Sequence, residues 1–169
     1  MSSPRVVWLL GSDSDLPHIE GGLSTLKGLG IAYEVRILSA HRTPEAVVEV
    51  VAGARDRGVG VLVGVAGGAA HLPGVMAAHT TLPVIGVPVP TELSGGLDSL
   101  LSIVQMPSGI PVATVSANKA GGKNAALLAA RILGVADAGV AGALDHHRKD
   151  MAAAVLAKDE KVARSHSSS

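Results

Sequence analysis

Apolar residues fall along the chain in short continuous runs separated by longer mixed stretches. Residues 5–10, apolar from Val6 onward, and 59–66 are runs of strand length, as expected when both faces of a parallel sheet are covered. Residues 32–38, 83–87 and 111–115 are weaker candidates of the same kind. Between these five strands the spacing predicts helices over 15–29, 44–57, 72–79, 96–104 and 119–133. The second helix has the clearest start: Thr43 as N-cap, Pro44 at the first helical position and Glu45 in the first turn. Gly30, Gly58 and Gly134 stand where helices are expected to close on a left-handed residue.

This alternation predicts right-handed βαβ crossovers. The fold class is therefore α/β, a three-layer, doubly wound parallel sheet with flavodoxin-like strand order. A further amphipathic stretch follows, with Val140, Leu144, Met151 and Val155 on one helical face. That stripe either packs on its own domain or projects against another subunit. Residues 1–162 are expected to form one domain that includes this C-terminal helix, and 163–169 a disordered tail.

Composition narrows the ligand. The chain has 169 residues, 47% hydrophobic and 17% charged, enough for one sizeable core. It has no Phe and only Tyr33 and Trp8, which removes recognition by stacked aromatics. Fourteen Lys and Arg balance fourteen Asp and Glu, so neither a nucleic acid nor a membrane surface meets a basic field. With no cysteine, disulfides and Cys-based zinc sites are excluded and a reducing compartment is permitted. No signal peptide is evident, because Asp13 and Asp15 directly follow the first apolar run. Residues 58–91 carry no Asp, Glu, Lys or Arg, but His71, His79 and several prolines interrupt them, as suits buried strands and tight loops rather than a membrane span.

In open parallel sheets ligands bind beyond the carboxyl ends of the strands. After the first strand stands Gly11-Ser12-Asp13-Ser14-Asp15. Its hydroxyls and helix N-terminal amides suit a phosphate, and a carboxylate suits ribose hydroxyls; the same residues also suit an ordinary N-cap. After the second strand stands Ser39-Ala40-His41-Arg42-Thr43-Pro44. Arg42 can bind a phosphate through two hydrogen bonds, with Ser39 adding a hydroxyl. A cation at a helix N-terminus opposes the dipole unless an anion lies between, which favours a functional Arg42. His41 either lines the site or packs with a ring nitrogen bonded to backbone.

After the third strand stands Ala66-Gly67-Gly68-Ala69-Ala70-His71-Leu72-Pro73-Gly74. Four small residues let backbone lie flat against a planar ligand in a narrow dry space. His71 is the sole titratable group of that loop and a candidate general acid or base. Other patterns fail. Gly121-Gly122-Lys123-Asn124 lacks the upstream Gly and the Ser or Thr of a phosphate-cradling loop, and no Gly-x-Gly-x-x-Gly follows the first strand. His146 and His147 are adjacent and face different sides of a helix, so a shared metal is not expected.

Taken together, these three loops, Ser102-Ile103-Val104-Gln105-Met106-Pro107-Ser108-Gly109-Ile110-Pro111-Val112, and Asn124-Ala125-Ala126-Leu127-Leu128-Ala129-Ala130 resemble the PurE family of purine biosynthesis. The resemblance spans residues 5–133. It implies an N5-carboxyaminoimidazole ribonucleotide mutase of class I, a cofactor-free, metal-free isomerase that moves a carboxylate from the exocyclic nitrogen to ring carbon C4. It also implies a cytoplasmic homo-octamer with sites near subunit contacts. By matching positions, Ser12, Ser14, Ser39 and Arg42 would hold the phosphate and Asp15 the ribose. His41 and Leu72 would also contact substrate, His71 would be general acid and base, and Gly67, Gly68, Ala69 and Ala70 would form the pocket for imidazole and carboxylate.

The family's second class uses free CO2 and acts as an aminoimidazole ribonucleotide carboxylase. It typically has Lys in place of Arg42 and a different third loop, and this chain keeps the mutase pattern at both. It departs from common mutase sequences at Pro90-Thr91-Glu92. A receiver or flavin-binding module would share the fold, but Ala66-Gly67 stands where a receiver wants Asp, and a flavin would want an aromatic over its ring.

Overall fold

The computed structural model describes residues 5–166 and builds one five-stranded, all-parallel sheet in the order β2-β1-β3-β4-β5. The strands are β1 (Val6–Leu10), β2 (Tyr33–Ile37), β3 (Val61–Ala66), β4 (Val84–Pro88) and β5 (Ala113–Thr114). The helices are α1 (Glu20–Gly28), α2 (Pro44–Ala52), α3 (Leu72–Ala78), α4 (Leu97–Val104), α5 (Gly121–Gly134) and α6 (Ala138–His166). This is the flavodoxin-like order expected from the alternation.

Period-two side-chain direction sorts the core onto two faces. Val6, Trp8 and Leu10 of β1 pack with Leu26 of α1 and Ala125, Ala126, Ala129 and Ala130 of α5. Val7 and Leu9 face the other way, onto Val47 and Val51 of α2, Met76 of α3 and Ile103 of α4. With so few aromatics, density comes from close backbone approach. A Cβ on Gly22 would lie 2.4 Å from the Gly122 carbonyl oxygen, and one on Gly122 would lie 2.3 Å from the His18 carbonyl oxygen. Gly122 therefore lets α5 pack closely on the start of α1, while a Cβ on Gly121 would meet the Ser116 carbonyl oxygen at 2.3 Å.

Several boundaries differ from the sequence expectation. The first helix is split: a 3-10 turn, Asp13–His18, contains Pro17 and precedes α1. α2 stops at Ala52 rather than at residue 57. Thr43 makes no side-chain cap; its hydroxyl accepts from the Ser39 amide (2.9 Å) and donates to the Ser39 carbonyl (3.1 Å), closing the loop before α2. Gly30 (φ +70°) and Gly58 (φ +81°) are left-handed as expected, but Gly134 is not: it is the last residue of α5, packed against Ala141 and Leu144 of α6. Asp137 then starts α6, its carboxylate accepting from the Gly139 and Val140 amides and from Arg5, and these bonds hold its pKa below the usual carboxylate value.

Only the beginning of α6 packs on the domain, through Val140 and Leu144. Met151, Val155, Leu156 and Val162 are exposed, so the helix projects. It continues through residues 163–166, which had been assigned to the tail; residues 167–169 lie outside the described residues.

Candidate active site

A cleft of about 500 Å3 opens beyond the carboxyl ends of the strands and collects the three loops singled out in the sequence. From the first loop come Gly11, Ser12, Ser14 and Asp15; from the second, Ser39, Ala40, His41 and Arg42; from the third, Ala66, Gly67, Ala69, His71 and Leu72. Val89, Pro90 and Thr91, after β4, complete the wall. Of the segment Pro90-Thr91-Glu92, the first two residues thus line the cleft.

One end of the cleft gathers serine hydroxyls and an arginine, with the Ser12 hydroxyl donating to the Asp13 carboxylate at 3.1 Å. The Ser14 hydroxyl donates to the Ser12 hydroxyl at 2.9 Å, and the Ser12 hydroxyl also accepts from the Ser14 amide. Ser12 caps the 3-10 turn while Asp15 accepts from the Ser12 amide at 3.1 Å. Ser12 and Asp15 therefore form the cap and also line the cleft. The Ser39 hydroxyl accepts from the backbone amides of His41 and Arg42, which sets its direction. Arg42 is exposed on the wall and donates to the Gly11 carbonyl at 2.9 Å, joining the first and second loops. Among the described residues it has no carboxylate partner. A guanidinium held by one carbonyl keeps donors for an incoming phosphate.

Asp15 is 6% exposed. Burial pushes its carboxyl above the ordinary aspartate value, against the opposing pull of the Ser12 amide and the His18 charge. Such a group suits ribose hydroxyls, which return hydrogen bonds that burial removed.

The other end holds two histidines over small residues. His41 Nε2 and His71 Nδ1 share a hydrogen bond at 2.9 Å, with ring centroids 5.0 Å apart and planes at 89°. His41 therefore lines the site and is not bonded through its ring to backbone. One facing nitrogen donates and the other accepts, so the tautomers of the two rings are matched. Each ring keeps a second nitrogen for another partner.

Of the small residues, Gly67 and Ala69 line the cleft, whereas Gly68 and Ala70 stand behind it. Gly68 is left-handed (φ +66°) with its amide turned away toward α4, and Ala70 is 1% exposed in the core under the sheet. A Cβ on Gly67 would come within 3.3 Å of Thr91 Cγ2 and 3.5 Å of Val89 Cβ. The gap between the third loop and the loop after β4 is therefore narrow. Sequence reasoning missed Val89 as a wall residue, and nothing local in an apolar strand end marks it as one.

The family model described as AIR carboxylase matches residues 5–154. The chain belongs to that family. Among its relatives, N5-carboxyaminoimidazole ribonucleotide mutase of Pyrococcus horikoshii is 52% identical over 159 residues, spanning 94% of this chain and 89% of that protein. The enzyme of the same name from Bacillus subtilis is 49% identical, spanning 94% and 98%. The crystal structure of Treponema denticola PurE superposes with a TM-score of 0.84 at 36% identity, covering 94% of this chain and 98% of that one. The AIR carboxylase family members so compared include proteins named for the mutase at half identity.

Proposed function

We propose that the chain is an N5-carboxyaminoimidazole ribonucleotide mutase of purine biosynthesis, working on a small ribonucleotide without a cofactor or metal. The observation that carries this reading is the division of one cleft into an anion end, formed by Ser12, Ser14, Ser39 and Arg42, and a histidine end over Gly67 and Ala69. Half identity to proteins of that name supports it.

In this reading the anion end and Asp15 hold the ribose phosphate and place the aminoimidazole under the histidines. The N–carboxylate bond breaks, releasing CO2 and leaving the enamine. The C4 carbon of the same ring then attacks that CO2. The balance is one proton moved from C4 to the exocyclic nitrogen, so no oxidant, triphosphate or metal enters the equation. His71 is the general acid and base, and its hydrogen bond to His41 makes a pair that can pass the proton. Holding CO2 beside C4 replaces a dilute encounter with a local one. Gly67, Ala69, Leu72, Val89 and Thr91 are the small and apolar residues and the threonine that line this end of the cleft, and water kept out by bound substrate protects the CO2 there.

The enzyme works as a cytoplasmic homo-octamer in this proposal. Exposed Leu97, Leu101 and Val104 along α4, and Met151, Val155 and Leu156 along α6, are apolar surfaces that neighbouring copies would cover. Light scattering at the mass of eight chains is expected; a monodisperse monomer would count against it. For the activity, N5-carboxyaminoimidazole ribonucleotide is compared with aminoimidazole ribonucleotide plus bicarbonate. Turnover of the first at far lower concentration is expected, and turnover of the second alone would make the chain a carboxylase.

A further inference from the structure

Asp15 and Ser99 are the two buried polar or charged residues among the described residues, and Ser99 is fully enclosed without touching the cleft. Its hydroxyl has two partners: it accepts from the Gly68 amide at 2.9 Å and donates to the Val89 carbonyl at 2.7 Å. One helical turn later, the Ser102 hydroxyl donates to the Gly68 carbonyl at 3.2 Å, which also accepts from the Ala70 amide at 2.8 Å. Both backbone polar groups of Gly68 are thus held from one face of α4.

The consequence reaches the cleft in two directions. Ala69, next to Gly68, is on the wall, and the His71 amide bonds the Ala69 carbonyl at 2.8 Å. Val89, the other partner of Ser99, is on the opposing wall. Asp98, beside Ser99, accepts from the Thr91 hydroxyl at 2.7 Å and so holds a third wall residue. The spacing between the small-residue loop and the loop after β4 is therefore set by the first turn of α4.

We propose that Ser99, supported by Ser102, is a positioning residue that fixes the width of the chamber where CO2 waits between release and recapture. This rests on the mutase reading above. Removing the hydroxyl leaves the Gly68 amide and the Val89 carbonyl buried and unsatisfied, so the two loops move to find other partners. The phosphate contacts lie on other loops and stay in place. Chamber width then affects how often CO2 is recaptured, and ribonucleotide binding hardly at all.

The test uses full-length Ser99→Ala and Ser102→Ala, with Val51→Ala of α2 as a buried apolar truncation that removes no hydrogen bond to either loop. For each, kcat, KM and the ratio of aminoimidazole ribonucleotide to C4-carboxylated product are measured from N5-carboxylated substrate, alongside thermal melting. For Ser99→Ala, kcat falls roughly tenfold to a hundredfold, the scale of a displacement of about 1 Å near reacting atoms. KM stays near that of the unsubstituted chain while the decarboxylated product rises. Ser102→Ala shifts the product ratio in the same direction by less, because the Gly68 carbonyl keeps the Ala70 amide; it carries the test if Ser99→Ala does not fold. An unchanged product ratio in both serine variants, with a kcat loss no greater than that of Val51→Ala, overturns the positioning role and leaves the mutase reading standing. Failure of the unsubstituted chain to convert the substrate overturns both.

Discussion

Arg42→Ala separates binding from folding. The side chain is exposed and makes one side-chain hydrogen bond, to the Gly11 carbonyl at 2.9 Å, with no carboxylate partner among the described residues. Its loss should change stability by no more than about 0.5 kcal/mol, as for other surface positions. Against a phosphate the same group makes charge-assisted hydrogen bonds worth roughly 1.5–3 kcal/mol. At about 1.4 kcal/mol per factor of ten, affinity should fall roughly ten- to hundredfold. On the proposed assignment, the residual binding should come from Ser12, Ser14 and Ser39. Arg42→Lys keeps the charge and loses the planar fork, so it should fall between the two. Calorimetric titration with aminoimidazole ribonucleotide gives the affinity, and a thermal melt on the same samples gives the stability. Unchanged affinity would refute the assignment of the anion end, and a large drop in Tm would refute the claim that Arg42 is free for ligand.

Four other substitutions probe other parts of the account. His71→Asn and His41→Asn should each lower kcat by roughly 10²–10⁴-fold if the bonded pair carries the proton; a full loss in one alone shows which ring serves the substrate, and retention in both sinks the acid–base role. Asp15→Asn should weaken ribonucleotide binding without lowering Tm near neutral pH. The raised Asp15 pKa favours the folded state most below the ordinary aspartate value, and that benefit is lost as pH rises through the folded value. An amide escapes this loss, so a lower Tm at neutral pH would contradict the burial argument. Gly122→Ala should destabilise by about 1–3 kcal/mol or more, since its Cβ would meet the His18 carbonyl at 2.3 Å and Ile19 Cα at 2.9 Å; a denaturation midpoint equal to that of the unsubstituted chain would show that α1 and α5 can separate freely.

What the sequence made legible follows physical range. The strand order and the three strand-end loops were readable because alternation, strand length and small polar residues are local signals. Thr43 before Pro44 carried the right local signal for a cap, but a competing partner, the Ser39 backbone, took the hydroxyl. Gly134 looked like a helix end and is one, yet not a left-handed one, because α6 begins close behind it and packs on it. The partner of His41 lies 30 residues away, so a bond between the two rings had no sequence signature. Ser99 stands in the first turn of a helix, where a serine ordinarily faces solvent; only the tertiary closeness of Gly68 and Val89 makes it a buried bridge. The close approach of Gly121 to the Ser116 carbonyl, and of Gly122 to His18 and Ile19, carries no sequence signature and required the fold to be seen.

The claim at the centre is that the carboxylate leaves nitrogen and returns to carbon without leaving the cleft. N5-carboxyaminoimidazole ribonucleotide carrying a 13C-labelled carboxylate, turned over in an excess of unlabelled bicarbonate, tests it most directly by mass spectrometry of the product. The account predicts C4-carboxylated ribonucleotide that retains the label. Product with the label diluted to the level of the surrounding bicarbonate would contradict it.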